Sequence, residues 1–250
     1  MEENKKDELQ EKKEVANEKV KTEKVESGKE EKNNKSEELK KETANTVNQV
    51  KDTIKKVDIK KDSVGTQGFI KEMFKNPLET IQEIVSKNTG KYLTYAIIIL
   101  AIWVIAELVS RSFSFNHIWG LSNIGGALWS IFIAGVTPII SILVMSLIIF
   151  LLNKNNKKQL TTIITVVIAA SIPLALASVV DLLTVFSTKI SLVTIPFAKL
   201  CNVISIILMY FATKSILGVE KNSEFVKKFA TIEAIYFIAY LVFSLFNVII

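Results

Sequence analysis

The run "AASIPLALASVVDLLTVF", Ala169 to Phe186, is apolar enough to sit in lipid, yet it holds Pro173 and the carboxylate Asp181. A helix breaker and a charge in one hydrophobic run are tolerated only where neighbouring helices satisfy them. The run belongs to one of five stretches long enough to cross a bilayer, which takes about 20 apolar residues. The five are 92–110, 127–152, 160–186, 196–217 and 229–250. Lipid offers no partner for an unpaired backbone amide, so each stretch is expected to be a helix, and the continuous runs do not alternate as a barrel strand would. The fold class read from the sequence is all-α: a polytopic integral membrane protein with five transmembrane helices over 92–250 and a charged N-terminal tail.

Charge between the runs orients them. Lys71, Lys75, Lys87 and Lys91 precede the first span, "NKNNKKQ" joins the second to the third, and Lys214, Lys221, Lys227 and Lys228 join the fourth to the fifth. Eleven lysines thus face one side, against Arg111 and Lys189 on the other. Positive charge is retained in the cytoplasm, so the reading places the chain in the cell membrane with its N-terminus inside and its C-terminus outside.

The tail, residues 1–68, carries 17 Lys and 17 Asp+Glu with no aromatic residue and no Pro, so all of the chain's net charge of +6 lies in the remainder. A neutral, aromatic-free tail gives nucleic acid neither a charged surface nor a stacking platform, and no nucleic-acid partner is expected. Disorder is the expectation for the tail. Val47, Val50, Ile54 and Val57 follow 3–4–3 spacing within 36–57, a transient helix with a weak coiled-coil signal. Residues 69–91 then read as a juxtamembrane amphipathic segment. Asn76, Pro77 and Glu79 form a helix start, and Leu78, Ile81, Ile84 and Val85 share one face. That face is expected to lie in the membrane interface, with packing against the ends of the spans as the alternative.

Little in the chain is suited to catalysis. The one histidine, His117, sits in the aromatic loop "SFSFNHIWG" and reads as interfacial, as do Trp119, Trp129, Tyr92 and Tyr95. The one cysteine, Cys201, reads as a small buried hydrophobe and excludes an intrachain disulfide. There is no metal-binding His pair, no nucleophile elbow and no phosphate loop, and Gly125-Gly126 reads as a close-packing point. No enzyme, cofactor or metal site is expected. The first 90 residues hold no apolar core, so no cleavable signal is expected either. Pro138, Pro173 and Pro196, each in or at the end of a span, admit a transporter or channel subunit as the alternative function.

Two charge pairs are expected within the spans. Asp181 near the outer end of the third and Lys199 near the start of the fourth would lie at similar depth if the fourth helix begins at Pro196. Glu107 and Arg111, four apart, would pair at the outer end of the first.

The order of these features resembles the Yip family, five-span membrane proteins with a cytoplasmic N-terminal region, and in particular its bacterial branch. "MFKNPLETIQEI" looks like the short Pro-containing helix that precedes the first span. "IAASIPLALASVV" is similar to the third span, and "MYFATKSILGVEKNSEFVKKFATI" to the exit of the fourth and basic start of the fifth. The resemblance covers 70–250. It implies a membrane adaptor or organiser without catalysis, acting through the lipid bilayer, a protein partner met by the tail or helix faces, or a homo-oligomer. The Asp-Leu-Tyr-Gly-Pro segment of eukaryotic members has no counterpart in this tail, so small-GTPase binding is not implied.

Overall fold

The computed structural model describes residues 37, 40–87, 90–118, 124–153, 158–219 and 221–249, without the side chains of 59, 60, 114–118, 124, 127, 188 and 244–249. The chain divides into two compact units, residues 1–47 and 48–250. In the first, the described residues 37 and 40–47 are helical. The second opens on a helix over 48–56 (α1) and continues through α2 (Ile59–Lys75), α3 (Pro77–Lys87), α4 (Gly90–Ile118), α5 (Ile124–Leu152), α6 (Leu160–Ala170), α7 (Ile172–Asp181), α8 (Ser191–Leu217) and α9 (Asn222–Ile249).

The fold is all-α among the described residues, with three helices long and apolar enough to cross a membrane, Gly90–Phe113, Leu128–Leu152 and Ser191–Leu217. A fourth crossing is made if Leu160–Ala170 and Ile172–Val185, bent by 46°, count as one. This is the architecture of a multi-pass membrane protein.

The bend has a local cause. Pro173 lacks an amide proton and disfavours helical geometry in the residue before it, so the chain starts afresh with Pro173 in the first turn of α7. Pro138 and Pro196 lie within α5 and α8 without ending them. Order along α4 shows what the bent pair does. Lys158, just before α6, donates to the carbonyl of Val85 in the last turn of α3, the helix that leads into α4. Further on, Ser178 meets Trp103 and Glu107, and Asp181 meets Ser110. The two arms therefore advance beside α4 in the same direction.

α6 is wholly enclosed. Every residue from Leu160 to Ala170 is buried, with α3, α4, α5 and α8 around it. α8 ends on Gly218, whose left-handed φ of 58° suits glycine and lets its amide donate to the carbonyl of Lys214 at 3.0 Å. α9 returns beside α8 and α5, with Phe225 and Phe229 edge-on to Tyr210 at 4.8 and 5.2 Å between ring centres.

Two expectations about the N-terminal part change. Residues 59–68 belong to α2, which packs on α4: Thr66 and Phe69 are buried, and Phe69 meets Tyr92 and Tyr95 at 5.6 and 5.9 Å. Order thus begins upstream of residue 69, because α2 borrows the aromatic face of α4 to bury its own. The helical signal expected over 36–57 appears as helix over 40–56. The disorder expected of 1–36 concerns residues outside those described.

The apolar face of α3 is also spent differently from the interfacial expectation. Ile81, Ile84 and Val85 are buried against the bundle, where α3 contacts α6 and α8, and only Leu78 remains exposed. Protein rather than lipid covers that face. Tyr95 is likewise buried instead of standing in an interfacial belt, whereas Trp129 is exposed. The side chain of His117 and all of Trp119 lie outside the described residues.

Candidate functional site: the polar interior of the bundle

Three polar features occupy the bundle, and residues of the bent pair take part in each. The first is at the break. Ser171 donates its hydroxyl to the carbonyl of Val167 at 2.9 Å, and Ser205 of α8 donates to the carbonyl of Ala170, also at 2.9 Å. A backbone acceptor exposed by the interruption is thus met by a neighbouring helix, the condition for a broken helix at membrane depth. Ser205 was not anticipated; a lone serine in an apolar run carries no signal of what it faces.

The second feature lies along α7. Ser178 donates to Glu107 at 2.6 Å, and the indole of Trp103 reaches the Ser178 oxygen at 3.0 Å and Glu107 at 3.4 Å. Ser178 has one proton, and the short contact to a carboxylate is a better use of it than the carbonyl of Leu174 at 3.2 Å. Asp181 is served by two hydroxyls, Ser110 of α4 and Thr194 of α8, each at 3.2 Å.

Neither expected charge pair forms. Lys199 is exposed and makes no ion pair with Asp181, which bonds to Ser110 and Thr194 instead. The reason is the start of α8. It begins at Ser191, not at Pro196, so Thr194 lies in its first turn and faces α7. Lys199, five residues on, points about 140° away at about 100° per residue. Equal depth did not mean equal direction. Glu107 similarly turns to Ser178 and Trp103, while Arg111 stays exposed.

The third feature is a pair of adjoining cavities. A chamber of about 180 Å³ sits at the break, lined from α4 to α9, with Trp103, Ser171, Asn202, Ser205, Glu233 and Tyr236 as its main polar and aromatic walls. A wider cleft of about 560 Å³ lies between α4, α5 and α9 and is lined by Glu107, Arg111, Ser130 and Thr137. Trp103 and Ser141 line both. Glu233 was missed by sequence reasoning, although the signal was the one that drew notice to Asp181: a lone carboxylate inside an apolar run, "TIEAIYFIAY".

Elsewhere the charges form exposed pairs. Glu83 meets Lys87 at 2.8 Å, and that bond, then one from Tyr92, holds its carboxyl below the usual range. Lys228 does the same for Glu224 at 2.7 Å. Among the described residues no group of His, Cys, Asp or Glu is placed to hold a metal ion. Cys201 is free and buried.

Fold and interior together define a multi-pass helical membrane protein with an interrupted helix at its polar centre. Comparison with family models, with curated proteins and with solved structures finds no match in any of the three. The resemblance to the Yip family thus rests on the quoted segments alone.

Proposed function

We propose that the protein is a non-enzymatic, five-span organiser or adaptor of the cell membrane, of Yip type, working through protein and lipid contacts. The bent pair is read as one span because its two arms follow the uninterrupted α4 in one direction. α9 is read as the fifth because it runs back along α8 and α5 from Phe225 to Tyr240. Lysine asymmetry then puts the N-terminus in the cytoplasm and the C-terminus outside.

The observation that carries the adaptor reading is the platform made by α2 and α3. It is folded onto the Lys-rich end of the bundle, with Ile81 and Ile84 buried beneath it and Phe74 and Leu78 exposed above. A surface built so firmly and left partly apolar suits a partner. Purification from native membranes tests this: a defined partner should co-purify with the full chain and be lost when residues 1–68 are deleted or Phe74→Glu is introduced. Recovery of the same partner with either change would reject the platform as its site.

The transporter or channel reading is favoured by one observation, the chamber at the helix break. Interrupted helices near the middle of a membrane commonly line substrate sites. Flux in proteoliposomes containing this chain alone would establish it and displace the adaptor reading.

A further inference from the structure

We infer that the chamber at the α6–α7 break is a binding site for a small organic ammonium ion, anchored by the carboxylate of Glu233. The inference rests on neither reading of function, since binding without movement suffices for it.

Among the described residues Glu233 is the only charged side chain lining the chamber. Among the described residues none donates a hydrogen bond to its carboxylate and none pairs with it; the two ion pairs of the structure are elsewhere. Glu233 is half-buried; a carboxylate partly withdrawn into an apolar bundle is costly without a partner, and a cation in the chamber offsets that cost. The rest of the wall selects the kind of cation. Trp103 and Tyr236 bring aromatic rings, a side-chain type that attracts ammonium groups, and Ile142, Met145 and Met209 bring aliphatic surface. A bare metal ion wants about six oxygen ligands and gains nothing from that surface. A chamber of about 180 Å³ exceeds the roughly 150 Å³ that accommodates benzene in an engineered apolar cavity. The fitting ligand therefore has one positive end, for Glu233, and an apolar body the size of a single ring.

The wider cleft supplies the approach. Glu107 and Arg111 both line it, and Trp103 and Ser141 stand where it meets the chamber. Glu107 is already engaged by Ser178 and Trp103, so the carboxylate left for a ligand is the inner one.

The test uses the purified full chain in lipid nanodiscs and two probes of equal size, benzylammonium and benzyl alcohol, followed by tryptophan fluorescence and calorimetry. Benzylammonium should bind saturably and benzyl alcohol about tenfold or more weakly, since a hydrogen-bonded charge is lost. Glu233→Gln should erase that difference, and Glu224→Gln, at an exposed carboxylate of α9 away from the chamber, should preserve it. Equal binding of the two probes to the unaltered protein, or no binding of either, overturns the proposal without recourse to any variant. Displacement of benzylammonium by sodium at equal concentration would also overturn it, assigning the site to an inorganic ion.

Discussion

The two arms of the bent pair are joined end to end at Ser171, yet they are built on opposite principles. α6 is enclosed on four sides, buries all eleven of its residues and meets its neighbours mainly through apolar side chains, with Ser205 bonding the carbonyl of Ala170 at its end. α7 has α4 on one side and α8 on another, while Leu176 and Val179 are exposed, and its place is fixed by hydroxyls and carboxylates: Ser178, Glu107, Asp181, Thr194. Within a membrane, apolar burial does not by itself drive helices together; packing and interhelical hydrogen bonds do. The inner arm uses the first of these and the outer arm the second.

The largest effect should therefore come from the inner arm. Ile163→Ala, at a fully buried site, should cost about 2–5 kcal/mol, the range for aliphatic truncation in a packed core. Val179→Ala on the exposed side of α7 should stay within about 0.5 kcal/mol. Unfolding in mixed micelles measures both, and equal losses would erase the distinction.

Next comes the junction. Ser205→Ala leaves the carbonyl of Ala170 without its interhelical donor, which should cost about 1–3 kcal/mol. A change smaller than the error of the unfolding curve would mean that the carbonyl has another partner.

On the outer arm, Thr194→Val removes one hydroxyl from Asp181 while keeping shape. A double-mutant cycle of Asp181→Asn with Thr194→Val should give a coupling of about 0.5–1.5 kcal/mol. The same cycle with Lys199→Gln should give none. Coupling to Lys199 instead would restore the charge pair read from the sequence.

The smallest effect lies outside both arms, at the exposed pair of Glu83 and Lys87. Glu83 is held below the 4.5 of a free glutamate, chiefly by its bond to Lys87. A carboxyl lowered in the folded state binds fewer protons there than in the unfolded chain, so it stabilises at pH above 4.5 and its contribution fades as pH falls through the lowered value. Lys87→Ala should flatten that part of the stability profile, and nuclear magnetic resonance titration of Glu83 should follow it upward.

Much of this was legible in the sequence, and what was not has a common cause. Apolar runs reveal helices because lipid leaves the backbone no alternative, and Pro173 reveals the interruption because it lacks a donor. Asp181 was conspicuous for the same reason. Its partners were not, because a position along a run gives depth, while contact also needs the direction around the helix. That direction hung on whether α8 starts at Ser191 or Pro196, and the 3₁₀ turns Leu182–Val185 and Thr188–Ile190 that settle it carry no strong signal. Hydroxyls such as Ser110, Ser178 and Thr194 are too common in apolar helices to be singled out. The face of α3 was ambiguous in kind, since protein and lipid ask for the same residues.

The account stands on α6 and α7 forming one crossing rather than a loop that enters and leaves on the same side. Single cysteines at its two ends, Lys158→Cys and Phe186→Cys, report this directly, since the native Cys201 is buried. In intact cells a membrane-impermeant maleimide should label the variant at 186 and spare the one at 158 until the cells are opened. Labelling of both from the same side would make the pair a re-entrant loop and contradict the five-span account.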